Sequence, residues 1–198
     1  MKSQVIPPGL LLQETLPTED TQPRNHYLLR SAIAVAWTWA AMTHWTAGPV
    51  VEGALLIAYP IWDAIANLVD PSQNDGLTAS LFRFVNFGLS CLVATLAELY
   101  VDDIGSFLNV FAGWTISVGL LHLIIGQRSQ GDGPDRRPAI LIGAQSIVAG
   151  IFFAVCARLN AGSGLTDIAF YTASSALVFL IASFWARSPR PSKQFDFL

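Results

Sequence analysis

From residue 28 onward the chain alternates long apolar blocks with short polar breaks. About twenty helical residues, at 1.5 Å each, cover the roughly 30 Å hydrocarbon core of a bilayer. The blocks predict six transmembrane helices, near 28–47, 49–69, 79–99, 104–126, 138–158 and 165–187. Asp70-Pro71-Ser72-Gln73-Asn74-Asp75-Gly76, a run of turn residues, divides the second block from the third. Gln127 to Arg137, containing Gly131, Gly133 and Pro134, divides the fourth from the fifth. Pro138 then suits the first helical turn, where its missing N–H costs nothing. Thr46-Ala47-Gly48-Pro49 alone separates the first two blocks and predicts a tight helical hairpin. Residues 1–27 lack an apolar period and predict a flexible tail, as do residues 188–198.

Composition supports lipid as the solvent. The 198 residues are 53% hydrophobic and 13% charged, with mean hydropathy +0.48. A water-soluble domain carries roughly twice that share of charge. The net charge of −3 offers no basic excess for phosphates and excludes a general nucleic-acid binder. Cys91 and Cys156 both fall inside apolar runs and read as small core residues.

Charge also orients the layout. With six crossings and a cytoplasmic N-terminus, Lys2, Arg24, Arg30, Arg83, Arg128, Arg136, Arg137, Arg187, Arg190 and Lys193 all fall inside. Arg158 alone falls outside, which is the positive-inside pattern and places both termini in the cytoplasm. Trp45 and Trp185 sit at helix ends as interface anchors, whereas Trp37, Trp39 and Trp114 lie deeper and are expected between helices.

The second block carries the polar residues most in need of explanation. Tyr59, Asp63, Asn67 and Asp70 share one helical face. An ionised Asp at mid-bilayer costs roughly 2.5–3.5 kcal/mol, so this stripe should line the inside of a bundle. By depth, Asp63, Asn67, Arg83, Asn86, His122 and Gln145 could share one layer in the cytoplasmic half. One reading pairs Asp63 with Arg83 across the second hairpin, as structural glue. The other makes the layer a proton or small-ion site, with Asp63 or His122 titrating. At the outer end His44, Glu52, Glu98, Asp102, Asp103 and Asp167 form an acidic group with no metal-ligand spacing. It reads as solvated helix ends, with Asp102-Asp103 at the start of the fourth helix.

The two halves echo each other. Ala36-Trp37-Thr38 and His44 resemble Gly113-Trp114-Thr115 and His122, and Pro49 with Gly53-Ala54 resembles Pro138 with Gly143-Ala144. Three crossings per half imply an inverted 3+3 repeat. With Gly119 and Ser146-Ile147-Val148-Ala149-Gly150-Ile151-Phe152, the chain resembles the short-repeat membrane family that includes the acid-resistance protein HdeD. The resemblance spans roughly residues 30–186, although no Pro closes the helix soon after Gly150-Ile151 and Asp63 has no matched position. It implies a small bacterial inner-membrane protein linked to acid stress, and it brings no catalytic residues with it.

Ser146-xxx-Gly150 and Tyr171-xxx-Ser175, beside Ser174, suit close internal helix contacts. No P-loop, GxGxxG or HExxH occurs. Gly88-Leu89-Ser90-Cys91-Leu92 approaches a nucleophile elbow but lacks the closing Gly and lies in a helical run. No enzymatic role, cofactor or metal is therefore assigned. The expected function is a structural or stress-related membrane protein. The alternatives are a small transporter or channel using the Asp63 layer, and an accessory subunit of a larger complex. The partners are membrane lipids, with a membrane-protein partner or a second copy of the chain as the candidates beyond them.

Overall fold

A computed structural model describes residues 22–44, 48–69, 77–100, 102–128, 136–161 and 164–186. Both distal tails and Asp70 lie outside the described residues, as do Trp45 and the His44 side chain. The described residues form six helices: α1 (Gln22–His44), α2 (Pro49–Leu68), α3 (Leu77–Tyr100), α4 (Ile104–Arg128), α5 (Arg136–Leu159) and α6 (Leu165–Trp185). Five of them, α2 to α6, are long and apolar enough to cross a membrane. The chain is an all-α, multi-span membrane bundle.

The exception is α1, which already includes Gln22 rather than starting near 28, and whose expected end near 47 lies outside the described residues. Pro23 in its first turn gives up no hydrogen bond. The earlier start moves Arg30 from the membrane edge into the third turn, roughly 12 Å inside the helix. Arg30 is buried there, 5% exposed, rather than placed at a helix end. Its charge is also part of why α1 is less apolar than the other helices.

Each helix packs on the next, and α1 closes the ring against α6, with α2 also reaching α6. The α4–α5 and α1–α6 seams are the most extensive, whereas α1 touches α2 only lightly. Glycine explains the first seam. A β-carbon on Gly119 would lie 2.7 Å from the Gly143 carbonyl oxygen, and one on Gly143 would meet the Gly119 carbonyl equally closely. Gly150 likewise faces Thr115 and Ala112. In lipid, helices gain little from excluding water, so close backbone approach of this kind is what holds them together.

A cluster of rings lies inside the bundle. Tyr59 meets Trp37 at 5.4 Å, Trp114 at 6.1 Å and Tyr171 at 6.0 Å between centroids. Phe107, Phe111 and Phe153 continue it across α4 and α5. Pro60 lies within α2 and has no N–H to give the preceding turn, which loosens the carbonyls there. Leu55 O, next to the Leu56 carbonyl that Pro60 leaves without a helical donor, accepts a hydrogen bond from Trp37 Nε1 at 3.0 Å.

Two expectations about buried side chains change. Trp37 and Trp114 are buried, but Trp39 is 66% exposed and faces outward. Cys156 is buried while Cys91 is exposed, and both are free thiols. Cys91 is thus no core residue, because α3 turns that face away from its neighbours.

Candidate functional site: the buried Arg30–Asp63 network

The α2 stripe does face inward. Tyr59, Asp63 and Asn67, one turn apart on α2, are all buried. The cation beside Asp63 is Arg30 of α1, not Arg83 of α3. Arg30 Nη2 donates to Asp63 Oδ1 at 2.6 Å, and the two side chains are 6% and 11% exposed. Arg30 Nη1 donates to Asn67 Oδ1 at 2.8 Å, and Asn67 Nδ2 returns a bond to Asp63 Oδ2 at 2.7 Å. Three residues on two helices thereby close a hydrogen-bonded ring. The guanidinium also lies 4.4 Å from the centroid of the Phe179 ring on α6, a cation–π contact.

The network continues into the second half of the chain. Ser90 Oγ of α3 donates to Asp63 Oδ2 at 3.1 Å, and Trp114 Nε1 of α4 donates to Ser90 Oγ at 3.1 Å. Ser90 therefore has its proton aimed at a carboxylate and a lone pair held by an indole. It belongs to the motif that resembled a nucleophile elbow, and its actual surroundings are those of a linker.

Arg83 does not take the place beside Asp63 because it lies near the start of α3, two turns before Ser90. Its Nη1 reaches the Leu68 carbonyl near the end of α2, at 3.4 Å. The energetics favour a fully buried pair over separated charges. Each isolated charge in the membrane costs roughly 2.5–3.5 kcal/mol, while the pair enters as a neutral unit with most of its polar atoms satisfied.

The other expected layer residues do not join this ring. Asn86 is 3% exposed on the Ser90 side of α3, and its Oδ1 accepts no hydrogen bond. His122 is buried, with Nδ1 2.9 Å from the Val118 carbonyl of its own helix. Gln145 of α5 donates to Ser174 and Ser175 of α6, at 2.9 and 3.1 Å. Gln145 thus sits at the α5–α6 interface, apart from the Asp63 ring, because equal depth does not set which face a residue occupies.

Of the expected acidic group, Glu52, Asp103 and Asp167 mark helix starts, and Glu98 lies in the last turn of α3. Glu52 lies in the first turn of α2 and Asp167 in that of α6. Asp103 caps α4, its Oδ1 accepting from Ser106 N at 3.3 Å. Hydrogen bonds from the Ser106 hydroxyl and then its N–H hold the Asp103 carboxyl below the usual carboxylate range. Glu98 and Asp102 are exposed. Among the described residues, no three His, Cys, Asp or Glu side chains gather into a metal-binding group.

Sequence reasoning missed Arg30, Ser90, Trp114 and Phe179 as members of the central network. One signal was present: Pro23 is a favourable first-turn residue, and starting the helix there puts Arg30 within the span. For Ser90 and Phe179 no local pattern exists.

The fold and this network define a multi-span membrane protein with a buried ionic core and no recognisable catalytic or metal-binding motif. Comparison with protein-family models, with curated proteins and with solved structures found no match in any of the three.

Proposed function

We propose that this chain is a structural or stress-related, non-catalytic protein of a bacterial inner membrane, crossing six times with both termini in the cytoplasm. The observation that carries the reading is the occupancy of Asp63. Its two oxygens accept from Arg30 on α1, Asn67 on α2 and Ser90 on α3. With donors from three helices, the carboxylate is placed to join them, which supports a structural role.

Arg24, Arg83, Arg128, Arg136 and Arg137 at one end, against Glu52, Glu98, Asp102, Asp103 and Asp167 at the other, support the orientation. The inverted 3+3 pairing draws support from Trp37 and Trp114, matched residues of the two halves that pack on the same Tyr59 ring. The light α1–α2 contact and the tight α4–α5 contact are where the halves differ. Likeness to the short-repeat acid-resistance family rests on Gly119 and Ser146–Phe152, and in this bundle Gly119, Ile147 and Gly150 line the α4–α5 seam.

A transporter is the second reading, favoured by Asn86, whose buried Oδ1 lacks a donor near the same network. Proteoliposomes containing wild type or Asp63→Asn, loaded with a pH-sensitive dye, separate the two. The structural reading expects no proton or alkali-cation flux above protein-free vesicles. Flux abolished by Asp63→Asn overturns it and selects the transporter. A stoichiometric partner retained in mild detergent selects an accessory subunit, and an acid growth defect on deletion supports the stress role.

A further inference from the structure

Among the described helices, α1 alone falls short of the apolarity needed to cross a membrane by itself. Gln22, Arg24, Asn25 and His26 fill its first turns, and Arg30 follows in the third. The groups that offset the Arg30 charge all come from other helices. They are the Asp63 carboxylate and Asn67 amide of α2 and the Phe179 ring of α6. Further along, Ser31 donates to the Ala176 carbonyl of α6 at 2.8 Å, and the Thr38 and Thr172 hydroxyls are 2.8 Å apart. The outer ends of α1 and α2 are joined by a short connection around Gly48.

We propose that α1 is a conditional span: it crosses the bilayer as one arm of a hairpin with α2, with Asp63 carrying Arg30 in as a neutral pair. The α6 contacts then hold it there. A cation at the middle of a helix is strongly disfavoured in hydrocarbon, and α1 has too little apolar surface to offset it. α2 has that surface, and it places the counter-charge at the matching depth. Asp63 on this view does more than stabilise the finished bundle; it decides whether the first helix enters the membrane at all. The inference rests on the orientation proposed above only for the face at which the hairpin tip emerges.

The test is a thiol reporter at the hairpin tip of the full chain. Val50→Cys, at an exposed position near the start of α2, is introduced with Cys91→Ala and Cys156→Ala. Labelling by a membrane-impermeant maleimide is scored per molecule in the membrane, from each face. The parent should label from outside. Asp63→Leu should reduce that labelling on the order of tenfold, because Arg30 then has no counter-charge. Arg30→Leu/Asp63→Leu should restore it, because α1 becomes apolar and no longer needs its partner. Unchanged labelling in Asp63→Leu, or a double variant no better than the single, overturns the inference. Parent labelling from the cytoplasmic face overturns the orientation instead, and the dependence on Asp63 at that face still decides the role of the pair.

Discussion

Gly119→Ala adds one methyl group where α4 and α5 come closest. The new carbon would lie 2.7 Å from the Gly143 carbonyl oxygen and from Ile147 Cγ1, and 3.0 Å from Ile147 N. Two of these neighbours are backbone atoms, so no rotamer change makes room. The shortest contacts fall roughly 0.7 Å inside ordinary van der Waals distance, and the helices must part by about that much. A gap of this size forfeits roughly a quarter to a half of the dispersion energy of each atom pair along the seam. Overpacking of this kind costs about 1–3 kcal/mol, and the higher helix propensity of Ala returns about 0.8–1 kcal/mol. The expected net loss is about 0–2 kcal/mol, against a gain for an open site. Gly113→Ala on the same helix is the control, because an added carbon there meets nothing within 4 Å. It should be neutral or stabilising by up to about 1 kcal/mol. Unfolding both variants in mixed micelles by titration with a denaturing detergent, followed by circular dichroism, measures the difference. A Gly119→Ala protein as stable as Gly113→Ala would show that the seam is not limited by backbone approach.

Three more outcomes follow from the polar contacts. Arg30→Gln should destabilise by about 3–5 kcal/mol because it strands a buried Asp63, whereas Arg83→Gln should lose only about 0.5–1.5 kcal/mol; equal losses in the same unfolding assay would return Arg83 to the central network. Ser90→Ala should cost about 1–3 kcal/mol by leaving the Trp114 indole N–H without its acceptor, seen together with a change in tryptophan emission. Thr95→Ala, on the exposed side of the same helix, should show neither effect. Asp103 has a depressed carboxyl in the folded chain, so its capping contribution is complete above the unfolded value and fades as pH falls through the folded one. The stability gap between wild type and Asp103→Ala should therefore be largest near neutral pH and shrink in strong acid; a gap that widens there would reverse the assigned sign.

The division between what could be read from the chain and what could not follows from the range of the forces involved. Whether some twenty residues prefer lipid depends on their own side chains, so the apolar blocks and the turn-rich breaks were legible directly. Local chemistry also sufficed to put Asp103 at the start of the fourth helix, and for the inward-facing run of Tyr59, Asp63 and Asn67, which one helical period aligns. The sequence could not name the partner of Asp63. Arg83 is closer along the chain, but Arg30 is closer in space because α1 already includes Gln22 and turns that side chain toward α2. Nor could depth show that Gln145 sits at an interface apart from Asn67, since depth is one coordinate and contact needs the helix face as well. Gly119 and Gly113 are identical in composition, and only the position of α5 makes one a close contact and leaves the other open. Solvent preference is written residue by residue along the chain, whereas pairing and close approach are properties of two surfaces that exist only once the helices have met.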